Sequence, residues 1–356
     1  MHTAAKLYCT QILDELALDA FAFFGLKNIR YCCNFTGTDG VYLFARSNSW
    51  FLSDARYQQQ AQQQVQADTL ICYQHKFDAL TALALAQDFK RIGFVAAELN
   101  VAEFCALRRR GAENLEWVAV EEKINALRGI KTSSEIEALQ QAADLNAKAF
   151  ATIESLIKPG VSEQTLALEL EIALRRLGGE ERAFDFIVAS GPRGALPHGV
   201  ASTRQLASNE LVTFDFGTRV QGYHSDETIT LGVGYVPVDL RRIYDLVLEA
   251  HDLALRWVKP GLSLAELDAV AREHITRAGY GENFGHGLGH GVGLEIHEYP
   301  SVSSRGKDQL QAGMVITIEP GIYLPGRGGV RIEDTILVTA DGYRCLTQIP
   351  KQYRAL

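Results

Sequence analysis

No apolar run in this chain approaches the roughly 20 residues that a membrane-spanning helix needs. The opening segment MHTAAKLYCT has a lysine but no apolar stretch behind it, unlike a secretory leader. Positive charge is the minority: 35 Lys and Arg stand against 43 Asp and Glu, a net charge of −8. That balance argues against general binding to nucleic acid or to acidic membranes. The one basic cluster, Arg108-Arg109-Arg110, reads as a solvated helix end. None of the six cysteines (Cys9, Cys32, Cys33, Cys72, Cys105 and Cys345) forms a C-x-x-C pair, so a cysteine-held structural zinc is not expected. Reduced thiols and a cytoplasmic location are the expectation.

Histidine is scarce, with nine in 356 residues, yet three fall in GHGLGHGVGLEIHEYP, residues 285–300. Two familiar explanations fail on spacing. A dinucleotide-binding loop needs a third glycine where Val292 stands. A helical zinc-protease motif begun at His297-Glu298 needs a second histidine where Ser301 stands, and the glycines around His286 and His290 disfavour a helix.

The length allows two domains with sizeable cores, and the composition, 47% hydrophobic and 22% charged, is ordinary for a globular protein. Residues 1–125 read as a small α/β domain. VYLFA (41–45), SWFLS (49–53), TLICYQ (69–74) and RIGFV (91–95) are strand-like, and the glutamine-rich YQQQAQQQVQ (57–66) reads as a polar helix. Asp54 and Arg56 read as structural.

The texture changes over 126–356. A long amphipathic helix starts near a Ser134/Glu137 capping box and ends at Pro159-Gly160; a second helix follows. The same order returns 101 residues later: a helix ending at Pro260-Gly261, then one opened by a Ser263/Glu266 capping box. IKPGVSEQTLALELEIALRRLG and VKPGLSLAELDAVAREHITRAG share helix, K-P-G, apolar residue, serine, helix. Two structural halves are expected, each a helix pair followed by strands, with a cleft between them suited to a site.

Acidic residues interrupt those strands. Asp215 lies between Phe214 and Phe216, Glu319 follows Ile316-Thr317-Ile318, and Glu333 follows Val330-Arg331-Ile332. A hairpin between 211–217 and 227–234 brings Asp226 towards Asp215. Alternation places Thr317 with Glu319 on one face, and Arg331, Glu333 and Thr335 on another. Buried carboxylates without partners are costly, and only Arg219 and Arg331 lie nearby in sequence. Arg331 is expected to orient an acid such as Asp226, with direct substrate contact as the alternative. Two divalent cations would balance four carboxylates. A mostly oxygen site with one imidazole suits Mn²⁺, Co²⁺, Fe²⁺ or Zn²⁺, and the glycine-rich stretch can supply the imidazole.

Taken together, these motifs resemble the pita-bread metallopeptidases, a family of aminopeptidase P, prolidase, methionine aminopeptidase and the metal-free creatinase. The family's ligand order falls on Asp215 in FDFGT, Asp226 in HSDET, His290 in GLGHGVGLEIHE, Glu319 in TIEPGIY and Glu333 in RIEDT. The first two are eleven apart and the last two fourteen apart, as in the family. LPHG around His198 matches one further histidine motif and His297 a second. NFTGTDGVYLFARSNSWFLSDARY (34–57) resembles the amino-terminal domain of the creatinase, prolidase and aminopeptidase P branch, which makes the methionine aminopeptidase branch less apt. All five ligand positions are filled, unlike creatinase.

The resemblance implies an α/β (α+β) chain: a creatinase-like domain, then a pita-bread domain with a pseudo-two-fold repeat and a curved antiparallel sheet. It implies two divalent metal ions, Mn²⁺ or Co²⁺ ahead of Zn²⁺ or Fe²⁺, and a homodimer. The implied activity is cleavage of the bond before proline in a peptide with proline second, which makes it an Xaa-Pro aminopeptidase, with an Xaa-Pro dipeptidase as the alternative. A non-catalytic binding protein on the same fold is more remote, because the ligands are intact. Glu319 would be both ligand and proton acceptor. His198 and His297 would stabilise the oxyanion or pass a proton to the leaving nitrogen, and His286 would line the substrate cleft.

Overall fold

The computed structural model describes residues 3–110 and 115–356, which divide into two compact units, Met1–Arg128 and Gly129–Leu356. The first two residues of MHTAAKLYCT lie outside the described residues; the rest of it opens the helix Thr3–Glu15. No helix among the described residues is long and apolar enough to cross a membrane.

The first unit is built on one six-stranded sheet. Its strands are β1 (Ala20–Phe23), β2 (Val41–Ala45), β3 (Ser49–Asp54), β4 (Thr69–Tyr73), β5 (Arg91–Val95) and β6 (Glu116–Val120), in the order β4-β3-β2-β1-β5-β6. β1 and β2 are buried along their whole length, which explains their unbroken apolar runs. The middle of the sheet is antiparallel and both margins are parallel. The glutamine-rich segment is the helix Gln58–Gln64, which buries only Ala61. Asp54 caps the turn before it, accepting from the Arg56 amide at 2.9 Å and pairing with the Arg56 guanidinium at 2.6 Å. The pair closes a local turn, in line with the structural reading.

The second unit repeats itself down to its hydrogen bonds. Its helix pairs are Ser133–Ile153 with Glu163–Arg176, and Val238–Trp257 with Leu264–Arg277. Between the members of each pair the chain turns at Gly160 and Gly261, both at positive φ (88° and 85°), where a side chain would be strained. Gly160 donates to the Leu206 carbonyl and Leu206 donates back to Val161. Gly261 does the same with Leu310, which returns to Leu262; the four distances are 2.8, 2.9, 2.8 and 2.8 Å.

The strands of this unit run β7 (Ile187–Ser190), β8 (Glu210–Phe216), β9 (Arg219–Val220), β10 (Tyr223–His224), β11 (Glu227–Val233), β12 (Gly289–Gly291), β13 (Glu298–Val302), β14 (Val315–Ile318), β15 (Gly321–Leu324), β16 (Gly328–Arg331), β17 (Asp334–Val338) and β18 (Tyr343–Cys345). They form antiparallel sheets β11-β8-β7 and β13-β12-β14-β17-β18, plus the pairs β9-β10 and β15-β16. One apolar core, around Phe150, Leu170, Phe214 and Phe216, backs the first half; another, around Val247, Leu267, Ile316 and Ile336, backs the second.

Two details differ from expectation. The capping box of the helix Ser133–Ile153 uses Thr132 and Glu135, with the Thr132 amide donating to Glu135 at 2.8 Å. Both registers satisfy the same spacing. The earlier one prevails because Lys131, immediately before it, is tied into extended backbone by donating to the Gly313 carbonyl at 2.9 Å. That helix also stops at Ile153, with a 3₁₀ turn (Glu154–Leu156) before Pro159.

Removing the cap tests the register. Thr132→Ala should lower unfolding free energy by about 1 kcal/mol, the usual worth of such a cap, while Ser134→Ala should change it by only a few tenths. Urea denaturation of both variants compares them directly.

Candidate metal centre

Of the four acids, only Asp215 sits within a strand. Asp226 immediately precedes β11, and Glu319 and Glu333 occupy breaks where longer strands were expected. The chain leaves the five-stranded sheet after β14 and enters the β15-β16 pair; after β16 it returns through β17. Pro320 has no N–H to continue a ladder, which explains the first break. A carboxylate at such a bend can turn away from the sheet face and still rest on rigid strands. The two halves meet here: the Glu333 amide donates to the Thr228 carbonyl at 3.1 Å, and Thr335 Oγ1 donates to the Asp226 carbonyl at 2.7 Å.

Asp226, His290 and Glu333 each offer an atom within 4.8 Å of the others. His290 Nε2 lies 3.6 Å from Asp226 Oδ2 and 3.3 Å from Glu319 Oε1. Its Nδ1 is 3.1 Å from the Gly291 carbonyl, which can only accept, so Nδ1 carries the proton and Nε2 faces the acids. Gly289 and Gly291 permit this approach. A side chain at 289 would meet the Thr317 carbonyl at 2.0 Å, and one at 291 would meet the Tyr299 carbonyl at 2.3 Å.

Arg331 is almost wholly buried and pairs with Asp215, not with Asp226 as expected. The reason is register: Asp215 is opposite Thr228 across the β8–β11 ladder, and Thr228 Oγ1 accepts from Arg331 Nε at 3.2 Å. The remaining guanidinium nitrogen, Nη1, donates to Tyr323 Oη at 2.9 Å and to the Pro197 carbonyl at 3.0 Å. Thr228 Oγ1 in turn donates to Glu333 Oε2 at 2.7 Å, and Thr317 Oγ1 donates to Glu319 Oε1 at 3.2 Å. Sequence reasoning placed Thr317 beside Glu319 but gave no role to Thr228 or Tyr323. The signal for Thr228 was its i+2 spacing from Asp226. Nothing in the stretch TIEPGIY set Tyr323 apart.

Electrostatics set these acids apart from an ordinary ion-pair network. Burial raises Asp226 and Glu333 well above the usual carboxylate range, and the neighbouring carboxylates add to the effect. Burial also raises Asp215, with Arg331 opposing it. Glu319 is the exception: its burial is outweighed by the hydrogen bond and charge of His290, which hold it at about 2. His290 is raised in return, Glu319 outweighing its burial. One guanidinium and one imidazole do not match four acids. Two buried oxygens, Asp215 Oδ1 and Glu333 Oε1, have no hydrogen-bond partner. Such unsatisfied oxygens beside one imidazole nitrogen fit a divalent-cation site and fit a salt-bridge network poorly.

The other histidines divide. His297 is exposed, and its ring meets the His290 ring edge-on, with centroids 4.3 Å apart. Desolvation and then the charge of His290 lower its pKa, favouring the neutral ring. His198 is exposed on the loop whose Pro197 carbonyl is held by Arg331. His286 donates from Nδ1 to the Gly287 carbonyl at 2.8 Å, and its Nε2 accepts from Tyr323 Oη at 2.9 Å. Burial lowers its pKa, consistent with that neutral tautomer. Lining the substrate cleft, the role expected for His286, would therefore leave its ring nitrogens no part in binding.

Comparison with known proteins points the same way. Residues 137–340 match the model of metallopeptidase family M24, and residues 8–130 match the creatinase/prolidase N-terminal domain. The chain is similar to an Xaa-Pro dipeptidase from Bacillus anthracis, with 40% identity, a TM-score of 0.96, and coverage of 99% of this chain and 100% of that one. It is similar to an X-Pro aminopeptidase from Thermotoga maritima, with 32% identity, a TM-score of 0.88, and coverage of 96% and 99%. An Xaa-Pro dipeptidase of Pyrococcus furiosus is 46% identical over 237 residues, 67% of this chain and 68% of that protein.

A cation that enters this cluster must stabilise the fold. Mn²⁺ or Co²⁺ at about 100 times its dissociation constant should add about 2.7 kcal/mol to unfolding of the chelator-treated protein. Calorimetry should show the unfolding midpoint rise with metal concentration, and His290→Ala should abolish most of the rise. A midpoint indifferent to both metals contradicts a cation site here.

Proposed function

Because the chain belongs to metallopeptidase family M24, whose peptidases use divalent metal ions, we propose that it hydrolyses the peptide bond preceding proline and releases the amino-terminal residue of Xaa-Pro substrates. The observation that carries this reading is the buried acid cluster with its two unpartnered oxygens. Asp215, Asp226, His290, Glu319 and Glu333 would hold two divalent ions. Ions held there would acidify water and polarise the scissile carbonyl.

The chain's own residues supply the rest. Arg331 fixes one oxygen of Asp215 and leaves the other to bind; Thr228 does the same for Glu333. Glu319, held by Thr317, would accept the proton from the attacking water. The hydroxyl adds to the carbonyl carbon, the carbon–nitrogen bond breaks, and the proton passes from Glu319 to the proline nitrogen. The neutral ring of His297 has an N–H for the developing oxyanion, and His198 would share that role.

Two substrate lengths fit this centre. The sequence reading favoured chains longer than Xaa-Pro. The names of the relatives support the dipeptide at least as well, since the Bacillus anthracis and Pyrococcus furiosus proteins are both called Xaa-Pro dipeptidases. A dipeptidase would grip the carboxylate after proline. Such a charge-assisted contact is worth about 1.5–3 kcal/mol, roughly tenfold to a hundredfold in kcat/KM.

The deciding assay compares kcat/KM for an Xaa-Pro dipeptide with that for the same peptide extended by two residues. A preference of that size for the dipeptide identifies a dipeptidase; the reverse identifies an aminopeptidase. No cleavage of either sinks the proposal. Within the site, His297→Ala should retain the metals and lose about 10²–10³-fold in kcat, whereas Asp226→Asn should lose metal and activity together.

A further inference from the structure

Directly behind the acid cluster lies a second, separate set of buried charges. Glu227 follows Asp226, and Asp334 follows Glu333. Glu227 and Asp334 open β11 and β17, one residue past the proposed ligands, and their side chains turn to a different partner. Both meet the same cation: Lys351 Nζ is 2.6 Å from Glu227 Oε1 and 3.3 Å from Asp334 Oδ1. The Lys351 side chain is 6% exposed and that of Glu227 is fully buried.

The rest of the carboxy-terminal segment joins them. Thr347 Oγ1 donates to Asp334 Oδ1 at 2.6 Å, and the Ile349 amide donates to Glu227 Oε1 at 3.0 Å. Tyr244 Oη donates to the Lys351 carbonyl at 2.7 Å, anchoring the lysine to the helix Val238–Trp257. Residues 347–351 thus form a strap over the back of the two segments that carry Asp226 and Glu333. Asp334 has further partners in Thr347 and His251, the latter at 3.2 Å. Glu227 is more dependent on the lysine, because its Oε2 has no hydrogen-bond partner.

Burying such a network is a poor route to stability, since apolar residues of similar volume often do as well. Its place in the fold suggests another use. Asp226 belongs to the first half of the repeat and Glu333 to the second. Their side chains must converge on a shared cation within tenths of an ångström, although no single strand holds both. We propose that Lys351 is a positioning residue for the metal centre: its ammonium, gripped by Glu227 and Asp334, sets the spacing between the segments that present Asp226 and Glu333. The inference rests on the ligand assignment proposed above. Lys351 touches neither metal nor substrate, and acts through the two acids it holds.

The test is Mn²⁺ binding by titration calorimetry on the chelator-treated, full-length protein, with near-ultraviolet circular dichroism to verify the metal-free fold. Loss of a partner outside the ligand set typically weakens metal affinity about 10–100-fold. Lys351→Met, close in volume and uncharged, should show a loss of that order, and Lys351→Arg should recover most of it. Wild-type affinity in a folded Lys351→Met protein overturns the proposal, as does an arginine variant no better than the methionine one. If Lys351→Met does not fold, the double variant Glu227→Gln/Lys351→Met removes the stranded charge and should show the same loss; wild-type affinity there overturns the proposal equally. His290→Ala separates the two levels. If it binds Mn²⁺ normally, the ligand assignment fails. If it loses Mn²⁺ while the Lys351 variants keep it, only the role of Lys351 fails.

Discussion

Asp215, Asp226, Glu319 and Glu333 lie close enough together that the charges of Asp215, Glu319 and Glu333 oppose ionisation within the cluster. Below the surface, where water cannot screen it, this repulsion must be met by protons, by cationic side chains or by bound cations. The chain supplies Arg331 to Asp215 and His290 to Glu319. Asp226 has only a longer share of His290, at 3.6 Å, and Glu333 is held by the Thr228 hydroxyl; of the four acids these two rise furthest. A proton on His290 and a metal would compete for the same Nε2, so a bound cation would replace these pairings.

The remainder of the second unit reads as the means of holding that repulsive cluster together. Each half of the repeat places a helix pair and an apolar core behind its strands. The first half presents Asp215 and Asp226, the second His290, Glu319 and Glu333. Threonines stitch the halves: Thr230 Oγ1 donates to the Arg331 carbonyl at 2.8 Å, alongside the Thr228 and Thr335 contacts. Short side chains with one fixed hydroxyl suit this task, because they orient a carboxylate oxygen without adding charge. Side chains supported this way are held in place before any ligand arrives.

Much of this was legible in the sequence because the site violates the pattern around it. An acid flanked by Phe214 and Phe216, or following Ile316-Thr317-Ile318, has no place in an apolar strand without a partner. The repeat was legible because K-P-G-x-S recurs with its helices. Other features depend on contacts remote in sequence. The Arg331–Asp215 pair spans 116 residues, and only the β8–β11 register decides it over Asp226. Tyr323 was hidden by its apolar neighbours, although its hydroxyl links His286 to Arg331. In the first unit, β1 lies at the centre of the sheet yet is four residues long, too short for alternation to show. The strand breaks at Glu319 and Ile332 were missed for a related reason: apolar periodicity continues through them while the chain changes sheets.

Asp215, Asp226, His290, Glu319 and Glu333 would converge on two cations. Crystals grown with Mn²⁺ and measured on either side of the manganese absorption edge test it without reference to activity. Two anomalous peaks are expected, roughly 3.5–4 Å apart as in shared two-metal sites, enclosed by Asp215, Asp226, His290, Glu319 and Glu333. No peak in that pocket, or manganese bound only by other residues, would contradict it.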